Sequence, residues 1–152
     1  MINDEKGLNQ TDLLELELTE SIFFSDRGIE YVKKQIQEMR RIGFWCSLDD
    51  FGAGYSSLGL LMEFDVDVAK LDRRFLLDVG RKKTRDVVIV ITELTQKIGA
   101  KTVAEGIETQ GQLDFVKETR CDMIQGYIYA RPMPVSEFER WIDQHQNLGN
   151  TN

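Results

Sequence analysis

Ser47-Leu48-Asp49-Asp50-Phe51-Gly52-Ala53-Gly54-Tyr55-Ser56-Ser57-Leu58 follows the apolar, β-prone run Phe44-Trp45-Cys46. That order places Asp49 and Asp50 where a buried strand reaches its carboxyl end and breaks into a glycine-rich loop. Two adjacent acids repel each other there. The repulsion is relieved if a hard divalent cation takes their oxygens, and the pair is then a candidate metal site. Gly52 and Gly54 add a loop able to come close to another group. Taken alone, the same stretch also fits an acidic turn at a strand end.

Composition limits what the chain can be. With 152 residues and 41% hydrophobic content it can bury one ordinary core. A net charge of −7 argues against a DNA or RNA backbone reader, which needs a basic face. Cys46 and Cys121 lie in apolar segments without metal-ligand spacing, so both are expected to be buried free thiols in a reducing compartment. No apolar run approaches the roughly 18 residues of a membrane span, and Met1 to Gln10 is polar without a signal-peptide core. A cytoplasmic protein with no membrane segment is expected.

Outward from the Asp pair, strands alternate with helices. Leu13 to Thr19 alternates leucine with acid, a strand with Leu14, Leu16 and Leu18 on one face and Glu15 and Glu17 on the other. Ser25-Asp26 is a candidate N-cap for a helix carrying Ile29, Val32, Ile36 and Met39 up to Gly43. Phe44 to Leu48 is a strand, Ser57 to Met62 a short helix and Val66 to Asp72 a third strand. Thr84 to Ile98 reads as a helix with a broad stripe of Val87, Val88, Ile91, Leu94, Thr95 and Ile98, closed by Gly99. Lys101 to Ala104 leads into Glu105-Gly106-Ile107-Glu108, and Thr109 with Gln112 forms a capping box for the next helix. Met123 to Tyr129 is the fifth strand, ended by Pro132 and Pro134, and Ser136 with Glu139 is a capping box for a last helix. The expected division is a polar lead-in at 1–12, the folded part at 13–146 and a polar tail at 147–152.

Alternation of this kind implies an α/β fold with a parallel sheet of about five strands. An open doubly wound sheet gathers polar residues only at its switch point, whereas a (β/α)8 TIM-type barrel gathers them from every strand's carboxyl end. Here Glu17 and Glu20, Asp49 and Asp50, Lys70 and Asp72, Glu105 and Glu108, and Gln125 fall at successive strand ends. A partial barrel is therefore expected. Other readings are simpler. Glu20 could cap a turn, Asp72 with Arg73 and Arg74 could be a surface ion cluster, and His145 is expected to be solvated. Phe115, Tyr127, Tyr129 and Trp141 are expected to be packing residues. Lys70, inside an apolar strand, needs a carboxylate partner.

Glu-Leu-Thr-Glu (17 to 20), Asp-Asp-Phe-Gly-Ala-Gly-Tyr-Ser-Ser-Leu (49 to 58), Lys-Leu-Asp-Arg-Arg-Phe (70 to 75), Val-Ala-Glu-Gly-Ile-Glu-Thr (103 to 109) and Gln-Gly-Tyr (125 to 127) occur in this order. The set resembles the EAL domain, the cyclic di-GMP phosphodiesterase domain of bacterial signalling. The resemblance implies hydrolysis of cyclic di-GMP to linear pGpG at a two-ion Mg²⁺ or Mn²⁺ site. It points to Glu17, Asp49, Asp50 and Glu105 as metal ligands, with Glu105 also the base and Lys70 the cation beside the water or phosphate. It makes Gln125, Glu20, Glu108, Phe51 and Gly52 substrate or loop supports. Ala53 stands where threonine is commoner in the family.

One departure is large: Glu-Ala-Leu and the asparagine that completes the family's first metal site are absent. The chain looks like the carboxyl-terminal three-fifths of a domain of roughly 250 residues. Such a piece is expected to be inactive or weak alone, and to self-associate or take a missing amino-terminal half-domain as partner. The alternatives are a non-catalytic nucleotide-binding or protein-interaction module, and a truncated remnant.

Overall fold

The computed structural model describes residues 11, 14–19, 28–52 and 57–146. Glu20, the Ser25-Asp26 pair, Ala53, Gly54, the tail and nearly all of the lead-in lie outside those residues. Five strands, β1 (Glu15–Leu18), β2 (Trp45–Phe51), β3 (Val68–Leu71), β4 (Lys101–Ala104) and β5 (Met123–Ile124), form one parallel sheet in sequence order. Helices α1 (Ile29–Ile42), α2 (Ser57–Glu63), α3 (Lys82–Lys97) and α4 (Gln110–Lys117) alternate with them, and α5 (Val135–Gln146) follows β5.

Period-two alternation divides the sheet cleanly. Cys46 and Leu48 of β2 meet Ile36 of α1 and Leu60 of α2 in one core cluster. Leu71 and Ala104 meet Val88 of α3 and Leu113, Phe115 and Val116 of α4 in another. The intervening residues point the other way: Lys101 stands over the Trp45 ring at 4.5 Å, and Lys70 meets Glu17 and Glu105. Helices α1 to α4 thus cover one face. A doubly wound sheet carries helices on both faces, whereas a barrel carries them only outside. The sheet is therefore an open, partial barrel. Its inner face reaches solvent at Trp45, 37% exposed, and Met123, 40% exposed.

Several local expectations are corrected. β2 runs through the Asp pair to Phe51 instead of ending before it, because a bulge between Leu48 and Phe51 turns the strand, with Asp50 in the left-handed region at φ 52°. Helix α1 starts after Gly28 as N-cap, without a side-chain cap. The stripe on α3 is narrower than its apolar residues suggest: Val87 and Ile98 are exposed, while Thr92 and Thr95 are buried. Those threonines satisfy their hydroxyls on the carbonyls of Ile89, Ile91 and Thr92, and the Thr95 and Thr102 hydroxyls meet at 2.5 Å. Burying them costs little once they are bonded. The Thr109–Gln112 capping box forms as expected. Ser136, by contrast, lies inside α5, whose first turn bonds to the Pro134 carbonyl. Cys121 is only half-buried, unlike Cys46.

The fifth strand is the largest difference, stopping after two residues. Beyond it the backbone clamps onto the β4–α4 connection: Ile107 N–H donates to Gln125 O at 3.2 Å, and Ile128 N–H donates to Ile107 O at 2.9 Å. Gly126 lies so close to the Ile107 backbone that a Cβ there would overlap its carbonyl oxygen. No side chain can give way at such a contact. Gly126→Ala is therefore expected to cost about 2 kcal/mol or more in urea unfolding, whereas Gly111→Ala, whose methyl meets nothing within 4 Å, should be neutral or stabilising. An unchanged midpoint for Gly126→Ala would remove the clamp from this account.

Candidate active site at the carboxyl ends of the strands

The parallel register brings the predicted residues together. Glu17 on β1 lies level with Ser47 on β2, two residues before Asp49, and Lys70 on β3 lies level with Val103 on β4, two residues before Glu105. Period two then sends Glu17, Asp49, Lys70 and Glu105 to the same inner face. Lys70 Nζ donates to Glu17 Oε1 at 2.6 Å, stands 2.9 Å from Glu105 Oε1 and 3.6 Å from Asp49 Oδ1. Its side chain is 10% exposed. Burial alone would lower the Lys70 pKa, but the bonds to Glu17 and Glu105 and the charges of Glu105 and Asp49 outweigh it, holding the ammonium well above its usual range.

Asp50 belongs to a second group. Burial, a hydrogen bond with Asp72 and the charge of Asp49 raise its pKa. Asp72, which the sequence suggested was a surface residue, is buried. Burial would raise the Asp72 pKa too, but Arg74 bonds it through both the guanidinium and the backbone N–H, at 2.9 and 2.7 Å, and its pKa falls instead. Of the two, Asp50 is thus the carboxyl that keeps its proton to higher pH. Asp72 therefore joins the polar residues of the strand ends, where its place two residues after Lys70 puts it, and its pairing with Arg74 is an enclosed one on the Asp72 side.

The other predicted residues take varied positions. Glu105, Glu108, Gln125, Lys70, Asp50 and Glu17 all line a cleft of about 1160 Å³. Glu108 is exposed and its backbone N–H donates to Gln112 Oε1 at 2.9 Å. Phe51 is 2% exposed within the helix-side core, and Gly52, at φ 88°, has no room for a Cβ beside the Phe75 ring. Both hold the bulge from behind. Tyr127 and Tyr129, expected in packing, are half-exposed and line the cleft, while Phe115 is core. His145 is exposed and stacks on Trp141 at 4.2 Å.

An all-oxygen donor set suits Mg²⁺ or Mn²⁺ and not thiol-seeking ions. Three carboxylates around one buried lysine also leave negative charge to neutralise, so the residues fit such an ion in chemistry. Among the described residues no three acidic, histidine or cysteine side chains converge on one point that a metal could take. Lys70 already stands among three of the acids.

A one-sided parallel sheet with its charged centre on the carboxyl face defines a (β/α)-barrel domain. The chain belongs to the EAL domain family, whose sequence model matches residues 2–132. It is 37% identical over 130 residues to the cyclic di-GMP phosphodiesterase NbdA of Pseudomonas aeruginosa, covering 85% of this chain and 16% of that protein. The EAL domain of Mycobacterium smegmatis DcpA superposes with TM-score 0.78 at 30% identity, covering 86% of this chain and 58% of that one. Klebsiella pneumoniae BlrP1, solved as a manganese and cyclic di-GMP complex, superposes with TM-score 0.74 at 28% identity, covering 82% and 31%. The chain thus spans less than two thirds of each of these relatives.

Two outcomes test the charge arrangement. Lys70→Met is expected to cost about 2–3 kcal/mol at pH 7, since it strips the cation from three acids, two of them largely enclosed. The gap should narrow towards pH 4, where ordinary carboxylates take up protons. Asp50→Asn acts oppositely. A folded pKa raised above the usual 3.8 means that ionised Asp50 destabilises the fold at neutral pH, and the burden disappears below the unfolded value. Asparagine tolerates the left-handed backbone, so the variant should melt higher than the parent at pH 7 and together with it near pH 3.

Proposed function

We propose that this chain carries the carboxylate and lysine centre of a cyclic di-GMP phosphodiesterase, hydrolysing the cyclic dinucleotide to linear pGpG in bacterial second-messenger signalling. The single observation that supports the reading is Lys70 held at a strand end among Glu17, Asp49 and Glu105. Glu17, Asp49, Asp50 and Glu105 would hold Mg²⁺ or Mn²⁺. When bound, such ions lower the pKa of a coordinated water and stabilise charge on phosphoryl oxygens. The protein's own part is positional. Glu105 Oε2 takes the proton of the attacking water as its oxygen bonds to phosphorus, and the phosphorus–O3′ bond breaks with O3′ taking a proton from solvent to leave as the 3′-hydroxyl. Lys70 Nζ stands beside the phosphoryl oxygens where negative charge grows.

The exposed inner face and the two open sheet edges favour a partner that supplies further strands, an amino-terminal half-domain or another copy of the chain. No helix among the described residues is long and apolar enough to cross a membrane, and the reading places the domain in the cytoplasm with its nucleotide. A non-catalytic nucleotide-binding role is the second reading, favoured by the lack of a converged three-acid metal group among the described residues.

The deciding experiment supplies the chain with Mn²⁺ and cyclic di-GMP, with and without an amino-terminal half-domain, and follows pGpG by chromatography. Turnover is expected from the completed domain, with little from the chain alone. Glu105→Gln and Asp49→Asn should each lower it about 10²- to 10⁴-fold. Nucleotide binding without turnover in the completed domain would select the second reading, and neither would refute both.

A further inference from the structure

We infer that Arg73 holds the second, unreacting phosphate of the cyclic dinucleotide, and so favours a ligand with two phosphodiesters over one with a single phosphodiester. The inference rests on the nucleotide reading above and adds a residue that selects the substrate. Two consecutive arginines follow Asp72, and the fold uses them differently. Arg74 turns back onto Asp72, bonding its carboxylate through the guanidinium at 2.9 Å and through the backbone N–H at 2.7 Å. Arg73 is exposed and lines the cleft that holds Lys70 and Glu105. Its guanidinium meets no carboxylate and no aromatic ring among the described residues.

The fold holds the Arg73 stem in place. Gly106, the residue after Glu105, takes φ 68° and presents bare backbone to it: a Cβ on Gly106 would stand 2.6 Å from Arg73 Cβ and 3.3 Å from Arg73 Cδ. The one-turn 3-10 helix Arg73–Leu76 anchors the other side, since Leu76 is buried and its carbonyl accepts from Gln112 Nε2 at 2.8 Å. The stem is thus gripped against the neighbour of Glu105, and the guanidinium is left to the cleft. Charge decides what it can take. The Lys70 ammonium is shared among three carboxylates, and the Arg131 guanidinium lies 4.6 Å from the Tyr127 ring centre. Arg73 is then the cleft cation whose donors are uncommitted among the described residues. A phosphodiester offers two anionic oxygens that a guanidinium fork meets in pairs. A cyclic dinucleotide carries two such groups. One reacts beside Glu105 and Lys70, and the other needs a cation in a cleft that carboxylates such as Asp50 and Glu108 also line.

The test compares hydrolysis of cyclic di-GMP with that of bis(p-nitrophenyl) phosphate, a phosphodiester without a second phosphate. It uses the chain completed by its amino-terminal half-domain in Mn²⁺, and the Arg73→Ala, Arg73→Lys and Arg81→Ala forms of it. Arg81 is exposed and outside the cleft lining, so its loss controls for net charge. Losing a charge-assisted phosphate contact weakens binding by roughly 5- to 100-fold, and a contact made equally before and during reaction moves KM and not kcat. Expected for Arg73→Ala is a cyclic di-GMP KM raised in that range, a kcat near the parent's and unchanged kinetics on bis(p-nitrophenyl) phosphate. Arg73→Lys, which keeps the charge and loses the fork, should fall between, and Arg81→Ala should match the parent on both esters. Thermal unfolding of each variant separates misfolding from lost contact. A parental cyclic di-GMP KM in folded Arg73→Ala, an equal loss on both esters, or an equal rise in Arg81→Ala would each overturn the assignment while leaving the phosphodiesterase reading intact. A completed parent inactive on cyclic di-GMP would instead overturn that reading and the assignment together.

Discussion

An ammonium ion buried at the end of β3 is the constraint on which the rest of the structure depends. Lys70 is nearly enclosed, and an enclosed cation unpaired would be costly enough to lose its proton or its place. Three acids prevent that, two from β1 and β2 and one from the residue just past β4. Glu17, Asp49 and Glu105 lie far apart in sequence, so the ammonium can be satisfied only when β1, β2, β3 and β4 are aligned in one parallel register. Any one-residue slip turns an acid to the helix side and leaves the cation bare. Strand order, register and charge placement are one condition here.

The same condition explains where the chemistry sits. Hydrophobic residues facing the helices make the sheet adhere, and polar residues at its carboxyl ends are free to act. The bulge in β2 adjusts this division locally. It keeps Asp49 directed at Lys70 while Asp50 turns aside to Asp72, so adjacent acids enter two different environments. Phe51 and Phe75 hold the bulge from the apolar side.

Much of this was legible in the residues. The alternation of Glu15 to Leu18, the Thr109–Gln112 capping box and the run of acids at strand ends each carry a local signal that tertiary packing leaves intact. Glu17, Asp49, Lys70 and Glu105 were found because a strand's period is fixed and its polar end is conspicuous. The misses share a different cause. Met123 to Tyr129 has strand-prone residues on both sides of Gly126, yet Gly126 meets Ile107 from another part of the chain and the pairing ends before it. No local pattern records that meeting. Asp72 was undervalued because two arginines follow it, a pattern typical of solvated surfaces, and only the fold shows the residue enclosed. Val87 and Thr92 exchanged their expected places because hydroxyls bonded to the preceding turn become as easily buried as a methyl.

The sheet's edge gives the lysine another meaning. β1 is four residues long and pairs with a single neighbour among the described strands. Such a strand has little of its own to hold it, and the reach of Lys70 to Glu17 across β2 acts as a clasp on the outermost strand. Fastening the border and assembling the charged centre are therefore the same event. A domain whose edge frays loses this charge arrangement at once, so the Lys70–Glu17 contact is a direct gauge of whether the first strand is in place.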